Sequence, residues 1–121
     1  MEERQTLRQA TKLWQEAYGY QMEGELDRAI EIDSEFGNPY NDIGVYLMQR
    51  DKLDESIPWL ENAKQAKRYV PRQFPFMNLG RIYLRQGRWW EALREFEGAV
   101  RLAPGDRHAS EMLHRLRARL N

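Results

Sequence analysis

The chain has 121 residues, no cysteine, and a formal net charge of zero from 19 basic and 19 acidic residues. That size predicts one small domain; the missing cysteines exclude disulfide staples, thiolate chemistry and cysteine zinc sites; and the balanced charge gives no overall field to draw nucleic acid or an anionic membrane. The opening MEERQTLRQATKL is too polar for a leader, and no run nears the roughly 18 apolar residues of a spanning helix, so a cytoplasmic protein with no membrane partner is expected.

Apolar residues recur at three and four, not two, which predicts helices throughout and no strands. The first helix is expected over 4–22, with Leu7, Ala10, Leu13, Trp14, Ala17 and Tyr20 as its apolar stripe. Gly24 permits a turn, and a short helix follows from Leu26 to Asp33. Gly37, Asn38 and Pro39 interrupt helix and restart it. A helix from Pro39 to Gln49 turns Tyr40, Ile43, Gly44 and Leu47 inward, and Arg50 and Asp51 make a tight turn. The next helix is placed at 54–69 through Ile57, Leu60, Ala63 and Ala66, with Pro58 at about its first turn, where a missing amide proton costs little. Pro71 and Pro75 bracket a connector before helices at 75–86 and 89–102. Ala103, Pro104 and Gly105 stop the latter, and Asp106 is the expected N-cap of a last helix reaching Leu120. Met112, Leu113, Leu116 and Leu120 give that helix one apolar side. Its other side carries Arg107, His108, His114, Arg115, Arg117 and Arg119 and reads as a solvated face.

An ordered set of large and small residues occurs twice. Phe76, Leu79, Gly80, Tyr83, Gly87, Trp89, Ala92, Phe96, Ala99 and Pro104 form one copy. Tyr40, Ile43, Gly44, Leu47, Leu53, Ser56, Leu60 and Ala63 form the other, 36 residues earlier. Glycine inside a helix costs about 0.5–1 kcal/mol against alanine. Gly44 and Gly80 therefore imply a neighbour that must come close, and Ala63, Ala92 and Ala99 let the second helix of each pair approach the first.

In these residues the chain resembles the tetratricopeptide repeat family, a helical hairpin repeated about every 34 residues. The resemblance is fullest over 73–106 and looser over 37–72. It implies an all-α fold of tetratricopeptide-like hairpins stacked as a short right-handed α-α superhelix, with a capping helix at 107–120, all within a single domain spanning 1–121. The N-terminal hairpin, 4–36, departs from the pattern. Leu13, Ala17, Tyr20, Gly24, Leu26 and Ala29 keep its offsets, but Ala29 precedes Gly44 by 15 residues. The repeat implies about 22, so roughly two helical turns are missing. The shortened unit is expected to leave apolar surface around Trp14, Ile30 and Ile32.

Nothing assembles a reaction centre. His108 and His114 are six apart on one helix, off ligand spacing. Ser34, Ser56 and Ser110 lack a base, and no glycine-rich phosphate loop exists. No enzyme activity, metal, cofactor or small-molecule substrate is expected. The resemblance instead implies a concave groove lined by the first helix of each hairpin. By position it falls to Asn38, Asn41, Val45, Met48 and Gln49, then to Phe74, Met77, Arg81, Leu84 and Arg85. Methionine and leucine suit adaptable apolar contact, asparagine suits backbone hydrogen bonds, and arginine suits carboxylates; Met77 and Leu84 have packing between hairpins as their other reading. Some family members clamp a partner's terminal carboxylate with a lysine–asparagine–arginine set. Here Asn78 fits one position, but Val45 and Phe74 replace the required asparagine and lysine, which argues against that mode.

Trp89 is expected to pack inward and Trp90, about 100° round the helix, to point elsewhere, as a partner anchor or as cover for a junction. The chain thus reads as a non-catalytic interaction module or scaffold taking a protein or peptide on its concave face. The alternative is a self-associating structural protein, a homodimer formed through Trp14, Ile30, Ile32 and Trp90.

Overall fold

The computed structural model describes Asp27, Ile30, Glu31, Glu35 and residues 37–69 and 71–121. Five α-helices lie among these residues: α1 (Asn38–Gln49), α2 (Leu53–Gln65), α3 (Gln73–Arg85), α4 (Trp89–Leu102) and α5 (Arg107–Leu120). The helix predicted at 4–22 and most of the short one from Leu26 to Asp33 fall outside the described residues. The chain divides into two compact units, Met1–Val70 and Pro71–Asn121.

In the first unit, α1 begins with Pro39 in its first turn, where a proline sacrifices no helical hydrogen bond. Gly37 ahead of it is held between chains of contacts: its N–H donates to the Arg68 carbonyl at 2.7 Å, and a Cβ would lie 2.9 Å from Tyr69 Cβ. α1 and α2 pack as a hairpin. A Cβ on Gly44 would sit 2.5 Å from Leu60 Cδ2, so the two helices meet at the approach its sequence position implied. Buried Ser56 donates from Oγ to the Gly44 carbonyl at 2.6 Å across the same contact. Ile43, Leu47, Leu60 and Ala63 are buried around it, and Ile30, Tyr46 and Trp59 pack against Ile43 and Leu47.

The hairpin turn closes as a Schellman motif. Lys52 N–H donates to the Leu47 carbonyl at 2.9 Å and Asp51 N–H to the Met48 carbonyl at 3.0 Å, with Asp51 at φ 62°. α2 departs from expectation at both ends. It stops at Gln65, four residues short of Tyr69, because Ala66 is extended (ψ 138°) and Arg68 pairs its backbone with Glu35 and Gly37. Pro58 lies inside the helix, sixth from its start, rather than at the first turn; its ring faces solvent.

The second unit repeats the design. α3 starts at Gln73, two residues before the expected Pro75, which is itself buried in the first turn. Its turn into α4 is the same Schellman motif, with Gly87 at φ 72°, Arg88 N–H to the Tyr83 carbonyl at 2.8 Å and Gly87 N–H to the Leu84 carbonyl at 3.1 Å. A Cβ on Gly80 would lie 2.5 Å from Phe96 Cε1, and Leu79, Ile82, Ala92, Phe96 and Ala99 are fully buried around that contact. α4 spans the predicted residues. α5 packs on α4 through Ala109, Leu113 and Leu116, and Asp106 caps it by accepting from His108 N–H at 3.0 Å and Ala109 N–H at 3.2 Å. Trp89 does not pack inward as expected. It opens α4, remains 41% exposed, and carries the Arg119 guanidinium 5.6 Å from its ring centroid.

Candidate functional site

The two sets of predicted groove residues occupy equivalent places on α1 and α3, each α1 position standing 36 residues before its α3 counterpart. Their burial separates packing from contact. Asn38, Asn41 and Met48 on α1 are buried, and Met77 on α3 is 3% exposed, which makes it part of the packed interior. Val45 is half-buried and Gln49 exposed on α1; on α3, Arg81 and Leu84 are half-buried and Phe74 and Arg85 exposed. The accessible part of each face is therefore Val45 and Gln49 in one unit, and Phe74, Arg81, Leu84 and Arg85 in the other.

Arg81 is held through both terminal nitrogens of its guanidinium. Its Nη1 donates to Asn78 Oδ1 at 3.0 Å, and its Nη2 lies 2.6 Å from His108 Nε2, the first turn of α5. Burial lowers its pKa while the Asp106 charge opposes that shift; a guanidinium remains charged throughout. Asp106 in turn accepts from Gln73 Nε2 at 3.2 Å. That bond, followed by the Ala109 N–H, holds its carboxyl below the usual carboxylate range. Gln73, Asp106 and His108 are thus part of the α3 face, and the sequence reading did not include them. The signal was present: a repeat of about 34 residues sets the start of one first-position helix beside the start of the next, and Gln73 precedes Asp106 by 33.

On α1 the charged feature is Asp42. Burial pushes its carboxyl up to about 7, and among the described residues its Oδ2 finds no hydrogen-bond partner. The Tyr69 phenol is raised first by its own burial and then by the Asp42 charge. Among the described residues no group of three or more His, Asp or Glu side chains is placed to hold a metal ion, and no helix is long and apolar enough to cross a membrane. Of the predicted self-association residues, Trp14 and Ile32 lie outside the described residues. Ile30 is half-buried against Ile43 and Leu47, so that part of the expected open surface is used inside the first unit. Trp90 is 62% exposed.

Solved structures share this arrangement. The Pseudomonas aeruginosa pilF structure is 24% identical with a TM-score of 0.71, matching 88% of this chain and 48% of its own, so this chain spans about half its length. The Arabidopsis OM64 TPR domain is 16% identical with a TM-score of 0.74, over 93% of this chain and 94% of that one. YrrB, described as a TPR protein with an unusual peptide-binding site, is 21% identical with a TM-score of 0.70, over 96% and 59%. The fold is tetratricopeptide-like. No family profile and no curated protein matches the chain, so the tetratricopeptide-like assignment rests on backbone similarity and on the internal repeat together. All three likenesses are below 25% identity and concern the fold.

Proposed function

We propose that this chain is a non-catalytic interaction module that receives a peptide or partner-protein segment on the first-helix faces, α3 above all. The observation that carries this reading is the α3 face itself. Phe74 is 44% exposed near the start of the helix, Leu84 is half-buried near its end, and between them Arg81 is held in place by Asn78 and His108, one turn from exposed Arg85. An immobilised cation beside apolar area binds a peptide at low ordering cost. The peptide-binding site named for YrrB, a protein of like fold, supports the same reading. Val45 and Phe74 stand where a terminal-carboxylate clamp needs asparagine and lysine, so an internal segment is the better ligand.

The test is capture of partners from the native cell with the full chain as bait, read by mass spectrometry, alongside a Phe74→Ala/Arg85→Glu variant. Both positions are exposed, so the variant keeps its helical circular dichroism. The partners captured by the wild type are expected to disappear; unchanged capture refutes the α3 assignment. The alternative is self-association through Trp14, Ile32 and Trp90, and a concentration-dependent mass that Trp90→Ala or Trp14→Ala abolishes would favour it.

A further inference from the structure

The side of α4 turned away from its buried residues Ala92, Phe96 and Ala99 takes no part in the α3 face. Helical spacing sets Trp90, Arg94, Glu97 and Arg101 along it in one stripe. Trp90 is the most exposed large hydrophobic among the described residues, at 62%. The acids on and beside the stripe are already engaged: Glu97 accepts from Arg117 Nη2 at 3.4 Å, and Glu91 from Arg88 Nε at 2.9 Å. Arg94 and Arg101 are both exposed; the Arg94 charge is felt by Glu91, whose carboxylate is hydrogen-bonded to Arg88. At the Trp90 end, Arg119 adds a further cation over Trp89. The stripe is therefore an exposed indole in a basic field.

We propose that this outer face of α4 is a second docking site, and that its occupant is an acidic segment of a partner protein carrying one large apolar residue. The indole supplies the desolvated anchor that binding surfaces favour; Arg94 and Arg101 supply the charge complement, bidentate toward carboxylates. Spacing sharpens the motif. At 1.5 Å of rise per residue, Arg94 lies about 6 Å and Arg101 about 16 Å along the helix from Trp90. An extended peptide advances about 3.3 Å per residue, so its acids belong two and five positions from the apolar residue. The site shares no residue with the α3 face, and the two stand or fall separately.

Random peptides about twelve residues long, enough to span the stripe, displayed on phage and selected against the full chain, provide the probe. Selected peptides are then synthesised and their affinities measured by fluorescence anisotropy. The expected consensus is a large apolar residue with acids two and five positions away. Trp90→Ala is expected to weaken binding about tenfold or more, Arg94→Glu with Arg101→Glu to abolish it, and Arg85→Glu on α3 to leave it unchanged. All these positions are exposed, and circular dichroism melting checks that each variant folds. The proposal is overturned by failure to enrich any peptide, by a consensus without acids, or by binding that survives both α4 variants. Two other occupants overturn it as well. Sedimentation with vesicles of equal phosphatidylserine and phosphatidylcholine, lost in the double arginine variant, assigns the face to a membrane. A dimer that Trp90→Ala converts to monomer assigns it to a second copy.

Discussion

Asp42 is a carboxylic acid placed where burial favours its neutral form. Its pKa is raised from 3.8 to about 7, and among the described residues Oδ2 has no hydrogen bond to offset the lost hydration. In the unfolded chain the same group ionises near 3.8. Between those values the folded chain binds a proton that the unfolded chain has released, so stability falls as pH rises through that window and levels off above it. Asp106 and Glu91 shift the other way, their pKa values lowered by hydrogen bonds from Gln73 and Arg88 respectively. Their contributions are present above the ordinary carboxylate range and are lost only as pH falls below it, so they do not confuse the Asp42 window. Asp42→Asn preserves shape and removes the charge. Urea midpoints measured at about pH 5 and about pH 8 are expected to fall for the wild type and stay level for the variant, with the variant more stable at the higher pH by about 1–4 kcal/mol, since each unit between 3.8 and about 7 is worth about 1.4 kcal/mol. Parallel curves for the two proteins would show that Asp42 is not the titrating group. The sequence showed only an acid on a helix; its value depends on what covers it, which periodicity does not encode.

At the level of elements, legibility followed the kind of signal that ends each helix. α4 and α5 were placed correctly because their limits are written locally, in Pro104, Gly105 and the Asp106 cap. The end of α2 was not, because Ala66 and Lys67 are good helix formers. What stops the helix there is backbone pairing of Arg68 with Glu35 and Gly37, more than thirty residues earlier in the chain. The two hairpin turns are a sharper case. Asp51 and Gly87 hold equivalent positions in identical hydrogen-bonded motifs, both left-handed. A Cβ on Gly87 would meet nothing within 4 Å, so a substitution there reports backbone conformation alone. Gly87→Ala is expected to lower stability by about 1 kcal/mol, since a left-handed alanine pays for its Cβ. That is the reverse of the gain of about 0.4–1 kcal/mol that the same change brings at a compatible site. Gly87→Asp should cost less, because Asp51 already closes this turn and short polar side chains tolerate the conformation. Urea denaturation of both variants decides the point: an alanine variant as stable as the wild type, or an aspartate variant as weak as the alanine one, would refute the account.

For the molecule as a whole, the repeat made the fold readable and set the two candidate faces at equivalent positions, because the 36-residue offset maps α1 onto α3 residue by residue. It did not distinguish contact from packing on those faces: Met77 went to the interior while Arg81 was tied to His108 on a different helix. α5 covers one side of α4. Ala109, Leu113 and Leu116 are buried against the rest of the second unit, whereas Arg107, Glu111, His114, Arg115, Arg117 and Arg119 face solvent. Without α5, the apolar side of α4 that receives it would meet water. Leu116→Ala is expected to cost about 2–5 kcal/mol, the range for a buried leucine. That is a large part of the roughly 5–15 kcal/mol that holds a domain together, and adding Leu113→Ala should leave the second unit without a cooperative transition. Arg115→Ala, on the solvent side of the same helix, should stay within about 0.5 kcal/mol of the wild type. Helical circular dichroism followed against urea measures all three, and a Leu116→Ala variant weakened no more than Arg115→Ala would mean that the packing of α5 on α4 contributes nothing to the second unit.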